Sequence, residues 1–174
     1  GGIFEDLRDE SIYFNLKSSD FFGLAIGGSL GSSKDEMHRV VEYTASKLKT
    51  NHPVHLLGIG DPFDIWNLVK FGIDTFDCVS PTRLARHGAA LTRTRLGKIN
   101  LKNTKYKELI HPIEKNCSCS TCKSYSVSYL HHLLKSEELL GLQLITCHNV
   151  YFMNAFMEYI RDSIERDTLE EAEK

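Results

Sequence analysis

Residues 54–60 read Val-His-Leu-Leu-Gly-Ile-Gly, and an Asp-Pro pair follows directly. An apolar run that ends in glycines is typical of a buried parallel strand that stops at a loop, and Asp-Pro is a typical helix start. The run at 21–28 (Phe-Phe-Gly-Leu-Ala-Ile-Gly-Gly) precedes a capped amphipathic stretch at 33–48 in the same order. A third run, at 73–79, is stopped by a Ser-Pro pair. Three strands that alternate with two helices predict parallel βα units and an α/β fold.

The composition is that of an ordinary globular domain: the chain has 174 residues, of which 41% are hydrophobic and 25% charged. Disordered, collagen-like and coiled-coil classes are thereby excluded. No apolar run reaches about 18 residues, and the N-terminus lacks a basic segment before an apolar one, so we expect a cytoplasmic protein. Three parallel strands are too few to close a barrel, and the chain opens on Gly1 without Met. We therefore expect it to be part of a larger α/β fold.

The pattern changes after Pro81. Residues 89–101 alternate apolar and polar around Gly97, which predicts an antiparallel hairpin. The clustered cysteines lie in the next segment, 102–123, and the remainder shows helical spacing. Helices are predicted at 124–134, 136–140 and 146–164, followed by a charged tail at 165–174.

Three of the five cysteines lie close together as Cys117-x-Cys119-x-x-Cys122, and His148 follows at the start of the last predicted helix. Three thiolates and an imidazole satisfy the tetrahedral preference of zinc, and sulfur ligands select zinc or iron–sulfur clusters over hard cations. Four protein ligands leave no open position for water, so we expect a structural site. Two alternatives stay open: disulfides or buried thiols instead of a metal, and Cys147 instead of His148 as the fourth ligand.

The net charge of −2 hides a strongly basic segment. Residues 78–107 contain eight basic side chains and no Asp or Glu, so their net charge is +8 and that of the remaining residues is −10. The eight are Arg83, Arg86, Arg93, Arg95, Lys98, Lys102, Lys105 and Lys107. Such a cluster is typical of proteins that bind a phosphate backbone, and Arg suits bidentate phosphate contacts. The alternative is a solvated surface hairpin.

Asp77 lies near the end of the third apolar run, immediately before the basic segment. In parallel α/β folds the carboxyl ends of the strands carry the chemistry, and a carboxylate there is a candidate nucleophile or general base. The alternative is an aspartate that caps the next turn. Asp74 competes for the role, but its odd spacing from Asp77 places the two on opposite faces of a strand, so we expect no shared role.

Several motifs together resemble the tRNA-guanine transglycosylases, also called queuine tRNA-ribosyltransferases. The most specific are the run 72–86 (Gly-Ile-Asp-Thr-Phe-Asp-Cys-Val-Ser-Pro-Thr-Arg-Leu-Ala-Arg) and the Cys-x-Cys-x-x-Cys plus His148 set. Shorter matches are Glu5-Asp6-Leu7-Arg8, Ala25-Ile26-Gly27-Gly28, Asp35-Glu36-Met37-His38-Arg39, Gly58-Ile59-Gly60 and Tyr129-Leu130-His131-His132. The resemblance covers essentially the whole chain and implies the C-terminal part of a (β/α)8 barrel with a zinc-binding insertion. It divides the chain into barrel units and hairpin (1–101), a zinc-binding subdomain (102–148), and a C-terminal helix with charged tail (149–174).

The family exchanges the guanine at the wobble position of a tRNA anticodon for a 7-deazaguanine base, which is queuine or its precursor. By resemblance, Asp77 is the nucleophile that attacks ribose C1′ and holds the RNA as a covalent ester. The positions that match the base pocket are Gly27, Gly28, Leu57 and Gly58. The positions that match RNA contacts are Gly58, Ile59, Gly60, Asp61, Pro62, Phe63, Asp64, Thr82, Arg83, Leu84, Ala85 and Arg86. The positions that match the zinc ligands are Cys117, Cys119, Cys122 and His148.

The resemblance also implies partner subunits and an N-terminal half of the enzyme that these residues do not include. The family is typically a homodimer, and in eukaryotes the enzyme pairs with a catalytically silent paralogue. The family's general base and guanine-reading Asp match no position here, so we expect the isolated chain to lack base exchange activity. Tyr125, Tyr129, Leu133 and Leu134 fit a dimer interface and an intrachain core equally well.

The chain departs from the family pattern at two places, and the first leaves the identity of the incoming base undecided. After the glycine pair, bacterial members usually read Leu-Ala-Val-Gly-Glu, but this chain reads Ser-Leu-Gly-Ser-Ser at 29–33, one residue shorter. That loop shapes the end of the base pocket, so queuine and its smaller precursor are both candidates. The usual Arg-Asn-Ala-Arg-Asn reads Arg-Leu-Ala-Arg-His at 83–87, which keeps both arginines. Two other functions stay open: a non-catalytic zinc-stabilised RNA-binding subunit, which the presence of Asp77 disfavours, and a zinc structural domain without an RNA partner.

Overall fold

The computed structural model describes residues 1–18, 21–48, 52–94 and 97–170. The chain forms two compact units, 1–79 and 80–174, each with a hydrophobic core of its own. The division at residues 101 and 148 that the family resemblance implies stays a prediction. Arg95 of the basic segment lies outside the described residues.

The first unit is a parallel sheet with helices between its strands. Its strands follow the order β1-β2-β3, and both neighbouring pairs are parallel. The elements are α1 (Glu5–Ser18), β1 (Leu24–Ile26), α2 (Lys34–Lys47), β2 (Val54–Leu56), α3 (Pro62–Val69) and β3 (Thr75–Phe76). This order confirms the α/β fold and the alternation predicted from the sequence.

The strands are shorter than the apolar runs that predict them, for a local reason. Gly28 and Gly58 have φ angles of 83° and 76°, a left-handed conformation that turns the chain away from the sheet after β1 and β2. At the start of β2, the side chain of Asp74 accepts the Val54 N–H at 2.7 Å. The Asp74 side chain thus holds the backbone at the start of β2. This role differs from the one predicted for Asp77, in agreement with the expectation that the two residues share no role.

The two faces of the sheet differ in chemistry. Val54 and Leu56 of β2 are buried against apolar residues of α2 and α3, such as Val41 and Leu68. The opposite face carries a row formed by Ala25, His55 and Thr75, which are register partners across the three strands. Because side chains alternate along a strand, the core holds one face while the other face presents polar groups at the sheet's carboxyl edge.

Helix α1 has no clear signal in the sequence. Its apolar residues do not form one stripe: Leu7, Tyr13 and Phe14 are exposed, whereas Arg8 is buried. The Arg8 guanidinium donates from Nε to the carbonyl oxygen of Gly2 at 2.7 Å and from Nη2 to that of Gly27 at 3.4 Å. The helix is therefore tied to the loop after β1 by a charged side chain, which hydrophobic periodicity does not detect.

The second unit begins with a short helix and the predicted hairpin. Antiparallel strands β4 and β5 pair Ala89 with Asn100 and Leu91 with Lys98, which confirms the hairpin. The elements are α4 (Ser80–Arg86), β4 (Ala89–Leu91), β5 (Lys98–Asn100), a 3₁₀ turn (Thr104–Tyr106), α5 (Ser120–Ser124), α6 (Val127–Lys135) and α7 (Leu139–Glu165). Leu133 and Leu134 are buried within the unit, so they belong to the intrachain core.

The predicted helix pair 136–140 and 146–164 is wrong. A single helix, α7, runs through 139–165, and His148 lies well inside it instead of at its start. The break between α6 and α7 falls at Glu137, which has a φ of 56°. Helical backbone continues through residues 141–145, and within it Thr146 donates its hydroxyl to the carbonyl of Leu142 at 2.8 Å. In the part of the chain that the structure describes, no helix is long and apolar enough to span a bilayer.

Candidate functional site

The three cysteines and His148 converge on one point in the second unit. Cys119 precedes α5 as its N-cap, Cys122 lies within α5, and His148 comes from α7. The Nδ1 atom of His148 lies 3.7, 3.5 and 3.4 Å from the Sγ atoms of Cys117, Cys119 and Cys122, respectively. All four candidate ligand atoms lie within 4.8 Å of one another. Such a cluster has the size and donor set of a tetrahedral metal site.

A hydrogen bond on the far side of the ring directs His148 toward the sulfurs. Its Nε2 lies 2.8 Å from the carbonyl oxygen of Leu91, an acceptor, so Nε2 carries the proton and Nδ1 presents a lone pair. The ring is fully buried, and burial lowers the pKa of His148. A neutral imidazole with this tautomer is the form that binds metals.

Burial opposes ionisation of the Cys117 and Cys122 thiols in the metal-free chain. Burial raises the pKa of Cys122 to about 12 and also raises the pKa of Cys117. A divalent cation offsets the cost of three buried thiolates, so the donor set fits a metal that binds soft ligands. With four protein ligands the site is closed to water, which fits a structural role.

Two of the alternatives for the cysteines, disulfides and Cys147 as the fourth ligand, disagree with the structure, whereas a bound metal stays a proposal. All five cysteines are free thiols, which excludes disulfides between the three clustered residues. Cys147 is exposed and is not part of the cluster, whereas its neighbour His148 is fully buried and belongs to it. The prediction of a Cys3His cluster through His148 is confirmed as a geometric arrangement.

Asn149, next to His148, is a structural residue that the sequence analysis missed. Its Oδ1 accepts the Leu91 N–H at 2.8 Å, and its Nδ2 donates to the carbonyls of Pro81 and Ala89 at 2.9 and 3.0 Å. The side chain is fully buried, and only one amide orientation satisfies all three bonds. Through Leu91, His148 and Asn149 both connect α7 to β4. The signal available in the sequence was the position of Asn149 next to the predicted ligand His148.

Asp77 lies just beyond β3, at the carboxyl edge of the parallel sheet. Its Oδ1 accepts hydrogen bonds from the Gly58 N–H and from Nε2 of His55, both at 3.1 Å. The side chain is 59% exposed. The Gly58 amide, and secondly His55, hold the pKa of Asp77 below its usual value, so the carboxylate is ionised near neutral pH. Both bonds end on Oδ1, and neither involves Oδ2.

The structure brings together most of the residues predicted to bind a base. The Leu57 N–H donates to the Ile26 carbonyl at 3.0 Å, which places Leu57 beside Gly27. A Cβ added to Gly27 would lie 2.6 Å from Cδ1 of Leu57, so the Leu57 side chain packs directly against the Gly27 backbone. Gly28 and Gly58 follow at the same edge, and Gly58 contacts Asp77. Glycine backbone, one apolar side chain and a carboxylate thus meet at the ends of β1, β2 and β3.

The loop predicted to contact RNA, 58–64, has a well-defined internal structure. A Cβ added to Gly60 would lie 1.7 Å from Sγ of Cys78, so Gly60 is packed directly against the residue after Asp77. Asp61 caps α3 by accepting the N–H groups of Phe63 and Asp64, Pro62 is the first residue of the helix, and Ile59 is partly buried. Phe63 is exposed.

Asp64 is the buried member of that loop. Its carboxylate lies 2.8 Å from Nζ of Lys34 and 3.0 Å from Nε2 of His38. Because Lys34 and His38 belong to α2, this carboxylate joins the start of α3 to α2 and is occupied within the chain. The exposed residues of the loop are Gly58, Asp61 and Phe63, whereas Gly60 and Asp64 are buried.

The other predicted RNA-contact residues form α4 in the second unit. Arg83 and Arg86 are exposed, Thr82 and Leu84 are partly buried, and Ala85 is fully buried in the core. The remaining described cations of the basic segment are also exposed, namely Arg93, Lys98, Lys102, Lys105 and Lys107. The helix therefore uses Ala85 for packing and presents its two arginines to solvent.

A closed Cys3His cluster stabilises a fold and leaves no position for a substrate. The exposed Asp77 carboxylate at the strand edge stays the candidate catalytic group predicted from the sequence, and an acidic nucleophile at such an edge is typical of one class of α/β enzymes. Comparison with known proteins narrows this class. The sequence model of the family described as queuine tRNA-ribosyltransferase matches residues 1–174, and the chain belongs to that family. The resemblance drawn from the motifs is confirmed.

Individual relatives agree with the family match. A queuine tRNA-ribosyltransferase of Roseiflexus sp. (strain RS-1) is 48% identical over 166 residues, which cover 94% of this chain and 41% of that protein. Relatives with the same description from Fusobacterium nucleatum and Francisella tularensis are 41% and 43% identical and cover 98% and 100% of this chain. The chain spans 46% and 47% of their lengths. It therefore corresponds to somewhat less than half of each of these proteins.

Proposed function

We propose that this chain provides the nucleophile and part of the base and RNA contacts of a tRNA-guanine transglycosylase. Such an enzyme exchanges the guanine at the anticodon wobble position for a 7-deazaguanine base. The observation that carries the proposal is the ionised Asp77 carboxylate, held by the Gly58 amide at the same strand edge as Gly27 and Leu57. Membership of the family supports the assignment.

In the proposed reaction, Oδ2 of Asp77 attacks C1′ of the target nucleotide. The new C1′–O bond forms while the C1′–N9 bond breaks, and its electron pair leaves on the guanine, which takes a proton from a general acid. The incoming base then attacks C1′ through its ring nitrogen, loses the proton from that nitrogen, and releases the Asp77 carboxylate. The family resemblance assigns the acid and base to a residue outside these 174 positions.

The glycine-rich strand edge suits a planar base. A Cβ at Gly28 would have nothing within 4 Å, so the backbone there can lie against a purine-like ring, and Leu57, which packs on Gly27 and is 48% exposed, offers an apolar contact. Gly58 contributes its amide to Asp77 and its α-carbon to the same edge. The short loop at 29–33 leaves queuine and its smaller precursor both as candidate substrates.

Arg83 and Arg86 are proposed to bind phosphates next to the target nucleotide. Both are exposed on α4, and neither has an acidic neighbour within the basic segment. The loop 58–64 is the second proposed RNA contact, through the exposed residues Gly58 and Phe63. A net charge of +8 over residues 78–107 attracts an anionic polymer from a distance.

Zinc is the metal that we propose for Cys117, Cys119, Cys122 and His148. When bound, it supplies four bonds that crosslink the loop before α5 to α7 and takes no part in base exchange. The three parallel strands are proposed to belong to a (β/α)8 barrel whose other strands lie outside these residues. Cytoplasmic location and assembly as a homodimer, or as a heterodimer with a paralogue, are likewise proposals.

A non-catalytic RNA-binding subunit is the second candidate function, favoured by the exposed cations of the basic segment. The two functions differ in one assay, which measures incorporation of labelled guanine into unmodified tRNA by the full-length protein. The transglycosylase proposal predicts incorporation that depends on Asp77. A protein that binds tRNA tightly without any incorporation would support the non-catalytic function instead.

A further inference from the structure

His55 is placed to control the orientation of the Asp77 carboxylate. It lies in the middle strand, β2, on the face opposite the hydrophobic core, where the register pairs it with Thr75 of β3. Its Nδ1 lies 2.7 Å from the Thr75 hydroxyl oxygen, and its Nε2 lies 3.1 Å from Oδ1 of Asp77. Asp77 is two residues beyond Thr75, so both reach the same face of the sheet.

The partners fix the tautomer of the ring. The ionised Asp77 carboxylate only accepts hydrogen bonds, so Nε2 of His55 must carry a proton. In the neutral ring Nδ1 is then an acceptor, and the Thr75 hydroxyl is the group that donates to it. Each of the two hydrogen bonds in the series Thr75–His55–Asp77 thus pairs one donor with one acceptor. Together they define the orientation of the His55 ring.

An exposed carboxylate on a short side chain rotates freely unless something holds it. Here Oδ1 receives two N–H donors from different directions, one from the Gly58 backbone and one from His55. The Gly58 bond alone leaves the carboxylate free to turn about it, whereas two donors define the plane of the group. Oδ2 is then presented in one direction, which is the requirement for in-line attack.

We propose that His55 is a positioning residue for the nucleophile, kept in its Nε2-protonated tautomer by Thr75. The inference rests on the proposed function, since it assigns Asp77 as the group that attacks C1′. His55 itself neither gives nor takes a proton in the reaction. It acts only through the orientation of Asp77, and so it affects the rate of bond formation rather than tRNA affinity.

The test compares His55→Leu and His55→Gln in the full-length protein. Glutamine places an N–H at nearly the position of Nε2, whereas leucine keeps bulk and removes the donor. Formation of the covalent enzyme–tRNA adduct is followed in single turnover with tRNA in excess. We expect His55→Leu to lower the rate constant about 10–100-fold, with tRNA affinity within about 2-fold of wild type. We expect His55→Gln to recover most of the rate, and Thr75→Val to give an intermediate loss.

Equal rates for His55→Leu and wild type would overturn the inference, as would an equal loss in His55→Gln and His55→Leu. A second measurement does not depend on turnover: titration of the Asp77 carboxyl by carbon NMR. Loss of the His55 donor should raise its pKa in His55→Leu and leave it low in His55→Gln. If wild-type protein forms no adduct, the proposed function fails, while an unchanged Asp77 pKa in His55→Leu rejects the His55 contact itself.

Discussion

His148 donates a hydrogen bond from Nε2 to the carbonyl oxygen of Leu91 at 2.8 Å, and this bond turns its Nδ1 toward three cysteine sulfurs. Leu91 belongs to β4, and its own N–H is accepted by Asn149, the residue after His148. One strand residue is thus held by two successive side chains of α7. The cysteine cluster is therefore connected to the hairpin and, through Asn149 and Pro81, to the start of α4.

Removal of a ligand should remove the metal. We expect His148→Ala to reduce bound zinc from about one per chain to near zero and to lower the thermal midpoint of unfolding, because structural zinc binding contributes directly to folding. Metal content by atomic emission and circular dichroism melts with and without chelator are the measurements. The matched control is Cys147→Ser, since Cys147 is exposed and adjacent. Metal loss in the control, or full zinc occupancy in His148→Ala, would contradict the ligand assignment.

The thiol pKa values predict opposite pH dependence with and without metal. In the metal-free protein, burial raises the pKa of Cys117 and Cys122 above their unfolded values. Their contribution to stability is fully present below the unfolded pKa of about 8.5 and is lost as pH rises toward the folded values. Metal-free protein should therefore lose stability above about pH 8.5.

With zinc bound, the pH dependence of stability has the opposite sign, because the metal displaces the thiol protons. We expect zinc affinity to increase from pH 6 to pH 8 and binding to release protons, measured by calorimetry in buffers of different ionisation enthalpy. An affinity that is independent of pH in this range would show that thiolates are not the ligands.

The buried amide of Asn149 should be a strong determinant of stability. Replacement by Ala leaves the Leu91 N–H and the carbonyls of Pro81 and Ala89 without their partner, and unsatisfied buried groups cost about 1–3 kcal/mol each. We expect Asn149→Ala to lower the free energy of unfolding by about 3 kcal/mol in urea titrations. Asn154→Ala, at an exposed position of the same helix, should change it by no more than about 0.5 kcal/mol. Similar effects for both variants would argue against the network.

The proposed phosphate contacts predict a change in salt dependence. Arg83→Gln and Arg86→Gln should each weaken tRNA binding and reduce the slope of log K against log salt by about 1. The measurement is a binding titration of the full-length protein at several salt concentrations. Arg161→Gln is the control, because Arg161 is exposed on α7 outside the basic segment. Unchanged slopes for both α4 variants would remove these arginines from the RNA interface.

The sequence predicted the features that depend on local pattern and chemistry. Apolar runs that end in glycines located β1 and β2, and the spacing of Cys117, Cys119 and Cys122 located the metal cluster. The features that the sequence did not predict depend on contacts between residues that are distant in the chain. Helix α1 buries Arg8 instead of an apolar stripe, and Asn149 acquires its role only when α7 meets β4.

His55 shows the same limit at the candidate active site. A single histidine in an apolar run carries no functional signal, and only the parallel register of β2 and β3 brings it to Thr75 and Asp77. The start of α7 was also missed, since one helix runs through 139–165 and includes residues 141–145 between the two helices predicted from spacing. Register and helix continuity are tertiary properties, so spacing alone does not define them.

The most direct test of the nucleophile is to identify the residue joined to tRNA. Full-length protein is incubated with unmodified tRNA, denatured, digested and examined by mass spectrometry for a peptide that carries a ribose-linked nucleotide. The proposal predicts an adduct on the peptide of Asp77, its loss in Asp77→Asn, and its persistence in Asp74→Asn, where the amide oxygen still accepts the Val54 N–H. An adduct on another residue, or one that survives Asp77→Asn, would contradict the assignment of Asp77 as the nucleophile.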